Sequence, residues 1–158
     1  MSHALAQPEL EELVRDLAAR PERWGHLVQH RPDGRTYAEL HRDEHVAVWL
    51  ICWMNDHDTG YHDHDLSSGA VAVTAGAVRE ERLVLGGAPR ARTVGAGESF
   101  TFGAADIHRV SHSGAEPAVT LHAYSPPLWR MGSYEVLESG ELRRWSLSYA
   151  EELRPIGA

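Results

Sequence analysis

Three histidines in this 158-residue chain have the type and spacing of metal ligands. His62 and His64 stand one residue apart in "GYHDHDLSSG". On extended chain, residues i and i+2 point to the same face, so both imidazoles project together while Asp63 and Asp65 turn the other way. A metal held by two imidazoles needs a third ligand, and His108 in "GAADIHRVSHSG" supplies one from a separate strand-like segment. Three neutral imidazoles leave coordination positions open for water or substrate. Zinc in such a site would activate water for hydration or hydrolysis, and a binding protein could use it to sense a ligand. A second constellation lies in "AVTLHAY", where alternation puts Thr120, His122 and Tyr124 on one strand face. The remaining histidines have plainer readings. His41 and His45 fall in a strand-and-turn pattern, His57 reads as a solvated histidine of the polar loop "NDHDTG", and His112 would share the face of His108 on a strand without a role of its own.

These side chains must be carried by a mostly β framework. In "PELEELVRDLAAR", Leu10, Leu13, Val14 and Leu17 recur at helical spacing, with glutamates early and Arg20 late, and Pro21 ends the helix. "ERWGHLVQH" adds a short helical turn, and Pro-Asp-Gly in "RPDGR" signals a turn. Beyond it, "HVAVWLICW", "GAVAVTAGAV", "RLVLGG", "ARTVGAGESFTF", "IHRVSHS" and "AVTLHAY" read as short strands, and "GSYEVLESGELRRWSLSYAEELRP" as a hairpin around Ser139-Gly140 followed by a charged end. Short strands at close spacing predict an all-β sandwich or closed barrel with a small α N-terminal extension. The expected division is a helical extension over 1–30 and one barrel domain over 31–158.

Composition narrows the partners. A net charge of −8 disfavours nucleic acid and anionic membrane surfaces. No apolar run approaches the roughly 20 residues that span a bilayer, and "MSHALAQPELEEL" lacks the pattern of a signal peptide. Cys52 is the only cysteine, which excludes an internal disulfide and predicts a reducing cytoplasm; inside "AVWLICW" it reads as a buried small hydrophobe. The expectation is a cytoplasmic protein, monomeric or a small homo-oligomer.

The wider spacing resembles the two motifs of cupin barrels, G-x5-H-x-H-x3,4-E-x6-G and G-x5-P-x-G-x2-H-x3-N. His62, His64, position 69 and Gly76 match the first in spacing; Gly97, positions 103 and 105, His108 and position 112 match the second. Identities differ, with Asp56 at the first glycine position, Gly69 at the glutamate position and His112 at the asparagine position. From about Tyr37 to Tyr134 the chain is similar to the cysteine dioxygenase type I family of thiol dioxygenases, most specifically in "HRV" followed by "LHAYSPP". The resemblance implies a single-domain cupin, a small β-barrel of jelly-roll type. It implies Fe(II) held by His62, His64 and His108, and Thr120, His122 and Tyr124 as a hydrogen-bonded relay. The implied reaction adds both atoms of O2 to the sulfur of a small thiol, giving a sulfinic acid. Where part of the family has a cysteine that cross-links to the tyrosine, this chain has Gly69.

Cysteine-oxidising members of the family hold the substrate carboxylate with arginine in a Y-x-R setting. Here "TYAELHRDEH" puts Glu39 at that position after Tyr37. Arg35 and Arg42 are near in sequence, but alternation sets Arg42 opposite Tyr37 and Glu39. The expected substrate is therefore a cationic thiol or thione, cysteamine or an ergothioneine-like betaine, contacted by Glu39, Tyr37, Arg42, Tyr61 and Trp53; Trp49 and Trp129 would add cation–π faces. L-Cysteine or 3-mercaptopropionate is the alternative.

Overall fold

The computed structural model describes residues 3–148. One helix, α1 (Gln7–Ala18), and two single 3-10 turns (Pro21–Arg23 and Gly25–Leu27) precede eleven strands. These are β1 (Thr36–Arg42), β2 (Ala47–Trp53), β3 (Tyr61–Asp63), β4 (Ser68–Ala75), β5 (Ala77–Arg82), β6 (Arg90–Gly95), β7 (Ser99–Phe102), β8 (His108–Ser113), β9 (Ala118–Ser125), β10 (Arg130–Val136) and β11 (Leu142–Ser148). They form two antiparallel sheets, β1-β2-β9-β4-β7 and β11-β10-β3-β8-β5-β6.

The five-stranded sheet is buried on both faces, and its alternation sorts side chains between two cores. Ile51, Trp53, Val71, Val73, Phe100, Phe102 and Tyr124 face inward, between the sheets. Val48, Leu50, Cys52, Ala70, Ala72, Leu121 and Ala123 face outward, under Leu10 and Val14 of α1. Alanine at 70, 72 and 123 keeps that outer face shallow enough for the helix to lie on it, and full burial of Leu10 and Val14 contributes about 1.5–3 kcal/mol each. Glu9 accepts a hydrogen bond from the Ala6 N–H at 3.0 Å, satisfying one donor of the helix start.

One expected strand is absent. "RLVLGG" is not a strand: β5 ends at Arg82, Gly87 N–H bonds the Val84 carbonyl in a turn, and Leu85 is fully exposed. Leu83 N–H still bonds the Ile107 carbonyl at 3.0 Å, and the run then turns back as loop. The hairpin around Ser139-Gly140 is present as β10 and β11, with Gly140 at φ +86°, while the charged end after Ser148 lies outside the described residues. Gly76, the last position of the first motif, turns β4 into β5 at φ +65°, where a Cβ would lie 2.5 Å from the Pro117 carbonyl.

No helix among the described residues is long and apolar enough to cross a membrane.

Candidate metal centre

The pairing of β3 with β8 sets His62 directly opposite His108. His64 follows β3 immediately, at the crossover where Asp65 takes φ +57° and the Ser67 N–H closes back on the His64 carbonyl before β4 begins in the other sheet. The three rings form a near-equilateral triangle, with centroids 4.8, 4.7 and 4.9 Å apart, and their ligand atoms all lie within 4.8 Å of one another. All three are buried. Residues 62, 64 and 108, far apart in part of the sequence, are thus brought to one point.

The ring orientations fit a cation. His62 Nδ1–H donates to the Gly60 carbonyl at 3.0 Å, and His108 Nδ1–H to the Glu80 carboxylate at 2.7 Å. Each bond fixes the tautomer and leaves the Nε2 lone pair for a metal. His64 is oriented by stacking on Phe102 (4.3 Å) and Tyr124 (5.5 Å), and its Nδ1 is buried with no hydrogen-bond partner among the described residues. Burial, the largest cause, holds His62 down to about 4 and pushes His64 and His108 well below the usual histidine range, so the trio is neutral and ready to ligate at neutral pH. Three such donors in a buried triangle suit a divalent first-row metal.

Asp63 and Asp65 stand outside this group. Asp63 does turn away from the imidazoles, but onto a covered face: its carboxylate accepts from Gly132 N–H (2.8 Å), Tyr134 O–H (2.6 Å) and Arg144 Nε (3.3 Å), tying the β10–β11 hairpin to the metal strand. His112 bonds the Glu116 carbonyl, His41 pairs with Asp43, and His45 with Glu44. His57 is buried, not solvated; it accepts from Met54 N–H and donates to the Pro32 carbonyl at 3.2 Å.

Glu80 was not among the residues singled out from sequence. It is 1% exposed and accepts from His108, from Arg82 (3.2 Å) and from Arg92 (3.0 Å). Its signal was available, because Val78 and Glu80 share the inward face of "AVREER", and a carboxylate at an inward strand position needs partners.

Beside the triangle lies a small cavity of about 20 Å³, lined by the three histidines, Ile51, Trp53, His122, Tyr124, Met131 and Arg35 among others. Thr120, His122 and Tyr124 are joined as expected from alternation: Thr120 Oγ1 lies 2.6 Å from His122 Nε2, and His122 Nδ1 lies 3.2 Å from the Tyr124 hydroxyl. Of the expected substrate contacts only Trp53 lines the cavity. Tyr37 packs against the inner core, and Tyr61 donates to Glu81 at 3.0 Å. Glu39 and Arg42 pair with each other at 2.9 Å on the exposed end of β1. A bulge between Glu39 and His41 shifts the register, so Arg42 joins the face of Glu39 instead of opposing it. Trp129 is 70% exposed. The residue that enters the cavity is Arg35, 3% exposed, with its guanidinium 5.3 Å from the Trp53 ring and 6.0 Å from that of Tyr37.

Two facing sheets that aim a triangle of imidazoles into their shared interior define a cupin with a three-histidine metal centre. The fold is similar to a conserved double-stranded β-helix protein from Klebsiella pneumoniae (TM-score 0.57, 15% identity, 65% of this chain and 80% of that one). It is also similar to a cupin superfamily protein from Desulfitobacterium hafniense (TM-score 0.57, 12% identity, 67% and 90%). Residues 3–136 match the family described as cysteine dioxygenase type I. Cysteine dioxygenase type 1 of Danio rerio is 27% identical over 139 residues, covering 80% of this chain and 68% of that protein. The chain belongs to the cysteine dioxygenase type I family, and with it to the thiol dioxygenases, oxidoreductases built around a non-haem metal.

Proposed function

We propose that this chain is an Fe(II)-dependent dioxygenase acting on a small thiol that carries a carboxylate, such as 3-mercaptopropionate or L-cysteine. Thiol and O2 combine as RSH + O2 → RSO2H, with both oxygen atoms on sulfur and the proton retained by the sulfinic acid. The observation that carries the substrate class is Arg35, the only residue of fixed charge, among the described residues, lining the cavity beside the imidazoles. Arg35-Thr36-Tyr37 presents the arginine and tyrosine of Y-x-R in reversed order, with Arg35 just before β1 and its guanidinium 6.0 Å from the Tyr37 ring. A cationic thiol would meet the guanidinium, and Glu39, which could have attracted it, is turned to solvent in its pair with Arg42.

His62, His64 and His108 would hold the iron. When bound, it would lower the pKa of a coordinated thiol and bring thiol and O2 to one centre. The protein's own groups do the rest. Gly60 and Glu80 keep two imidazoles in the ligating tautomer. Arg35 takes the carboxylate through charge-assisted bonds, with its guanidinium near the Trp53 face. His57, bonded to Pro32, anchors the turn that delivers Arg35. Ile51, Val71, Phe102, Val110 and Met131 exclude water, and Tyr124 offers its hydroxyl to the reacting centre.

The test is product formation, by mass spectrometry, from iron-loaded protein with 3-mercaptopropionate, L-cysteine, cysteamine and ergothioneine. The carboxylate-bearing thiols are expected to be turned over best. Arg35→Met is expected to raise their KM about 10- to 100-fold and to leave cysteamine nearly unchanged. Preference for cysteamine would refute the assignment.

A further inference from the structure

Trp53 contacts both halves of the site. Its ring faces Arg35, and its indole N–H donates to Thr120 Oγ1 at 2.8 Å across the β2–β9 pairing, where Ile51 stands opposite Thr120 and Trp53 lies diagonal to it. Indole N–H can only donate, so one lone pair of the Thr120 oxygen is committed. The Thr120 hydroxyl has one proton and two acceptors within reach, His122 Nε2 at 2.6 Å and the Ile51 carbonyl at 3.4 Å. The second contact is at the limit of a hydrogen bond, so the proton goes to His122 Nε2. Burial keeps His122 neutral, held down to about 3, so its other nitrogen, Nδ1, carries the hydrogen and donates to the Tyr124 oxygen.

We propose that Trp53 is a positioning residue that fixes the direction of the chain Trp53→Thr120→His122→Tyr124, so that the Tyr124 proton is aimed at the cavity and not at His122. In the opposite polarity, His122 Nε2–H would donate to Thr120 and Tyr124 would spend its proton on Nδ1. Deleting the indole donor leaves the Thr120 oxygen short of a hydrogen. The nearest group able to supply one is His122 Nε2, so the whole chain reverses. Burial of every member makes an unmet donor or acceptor costly, which is why one end of the chain can dictate the other. The consequence for turnover rests on the thiol dioxygenase reading; the polarity itself does not.

The experiment is multiple-bond 1H–15N spectroscopy of 15N-histidine-labelled protein loaded with diamagnetic zinc. The wild type is expected to show His122 as the Nδ1–H tautomer, and Thr120→Ser to keep it. Trp53→Phe is expected to move His122 to Nε2–H or to a mixture. Replacing Trp53 by β-(3-benzothienyl)alanine, which keeps the bicycle and deletes only the N–H, is expected to do the same in a fully packed protein. An Nε2–H wild type, or an unchanged Nδ1–H tautomer in the benzothienyl protein, would overturn the proposal. With iron and 3-mercaptopropionate, the benzothienyl protein is expected to lose about tenfold or more in kcat with KM within twofold. If the tautomer responds but the wild type oxidises no thiol, the substrate reading fails and the polarity stands.

Discussion

Glu80 is the most exacting point at which to perturb the metal centre, because it touches no substrate. Its carboxylate receives His108 Nδ1–H at 2.7 Å, Arg92 Nε at 3.0 Å and two Arg82 nitrogens at 3.2 Å each. Glu80→Gln keeps one carbonyl oxygen for His108 but removes the charge and turns an NH2 toward the arginines. Glu80→Ala removes the acceptor entirely. Loss of such a partner behind a ligating histidine costs about 10- to 100-fold in metal affinity. The glutamine variant belongs at the lower end, about 1.4 kcal/mol, and the alanine variant near the upper, about 2.7 kcal/mol. The folding cost is smaller than for a fully enclosed ion pair, because Arg82 and Arg92 are 29% and 48% exposed and can turn to water. About 1–2 kcal/mol is expected, against about 3–5 for a pair that cannot relax. Chelator competition gives the affinity, and thermal unfolding of the metal-free variants gives the fold. Wild-type affinity in both variants would refute the reasoning that Glu80 orients His108.

Three further outcomes follow from the same geometry. A Cβ at Gly69 would lie 2.2 Å from the tip of the Phe102 ring, which stacks on His64; Gly69→Cys should therefore cost about 1–3 kcal/mol, and Phe102→Leu should recover part of it, read as shifts in Tm. Burial acts to raise the Asp63 carboxyl, but bonds from Tyr134, Arg144, Asp65 and Gly132 outweigh it and hold the group below its ordinary 3.8. Its contribution is therefore present above about pH 3.8 and lost as pH falls through the lower folded value. Asp63→Asn should be about 1–2 kcal/mol less stable than wild type at pH 6, with the gap closing below pH 3.8 in denaturant titrations. Removing metal with a chelator should lower Tm in the wild type and leave it unmoved in a His62→Ala/His108→Ala protein.

Local rules made the histidine cluster and the Thr120–His122–Tyr124 contacts legible. The i, i+2 repeat announced His62 with His64 and Thr120 with His122 and Tyr124, and His108 read as a third candidate in a separate strand-like segment. What escaped was set by non-local pairing. Arg35 could be recognised only once the turn bridged by Arg31 and Gly34 was in place, and Arg42 only with the bulge after Glu39. Asp63 was rightly turned from the metal, yet the hairpin that covers it lies some 70 residues onward in Gly132 and Tyr134. Glu80 acts through a strand pairing that sets Arg82 against His108.

The proposed centre is one iron held by His62, His64 and His108 with a coordination position open to the thiol. X-ray absorption of anaerobic, iron-loaded protein, before and after 3-mercaptopropionate, tests it most directly. One iron per chain, three imidazoles around it, and one sulfur entering the shell when the thiol is added are expected. Fewer than three imidazoles, or no sulfur after addition, would contradict it.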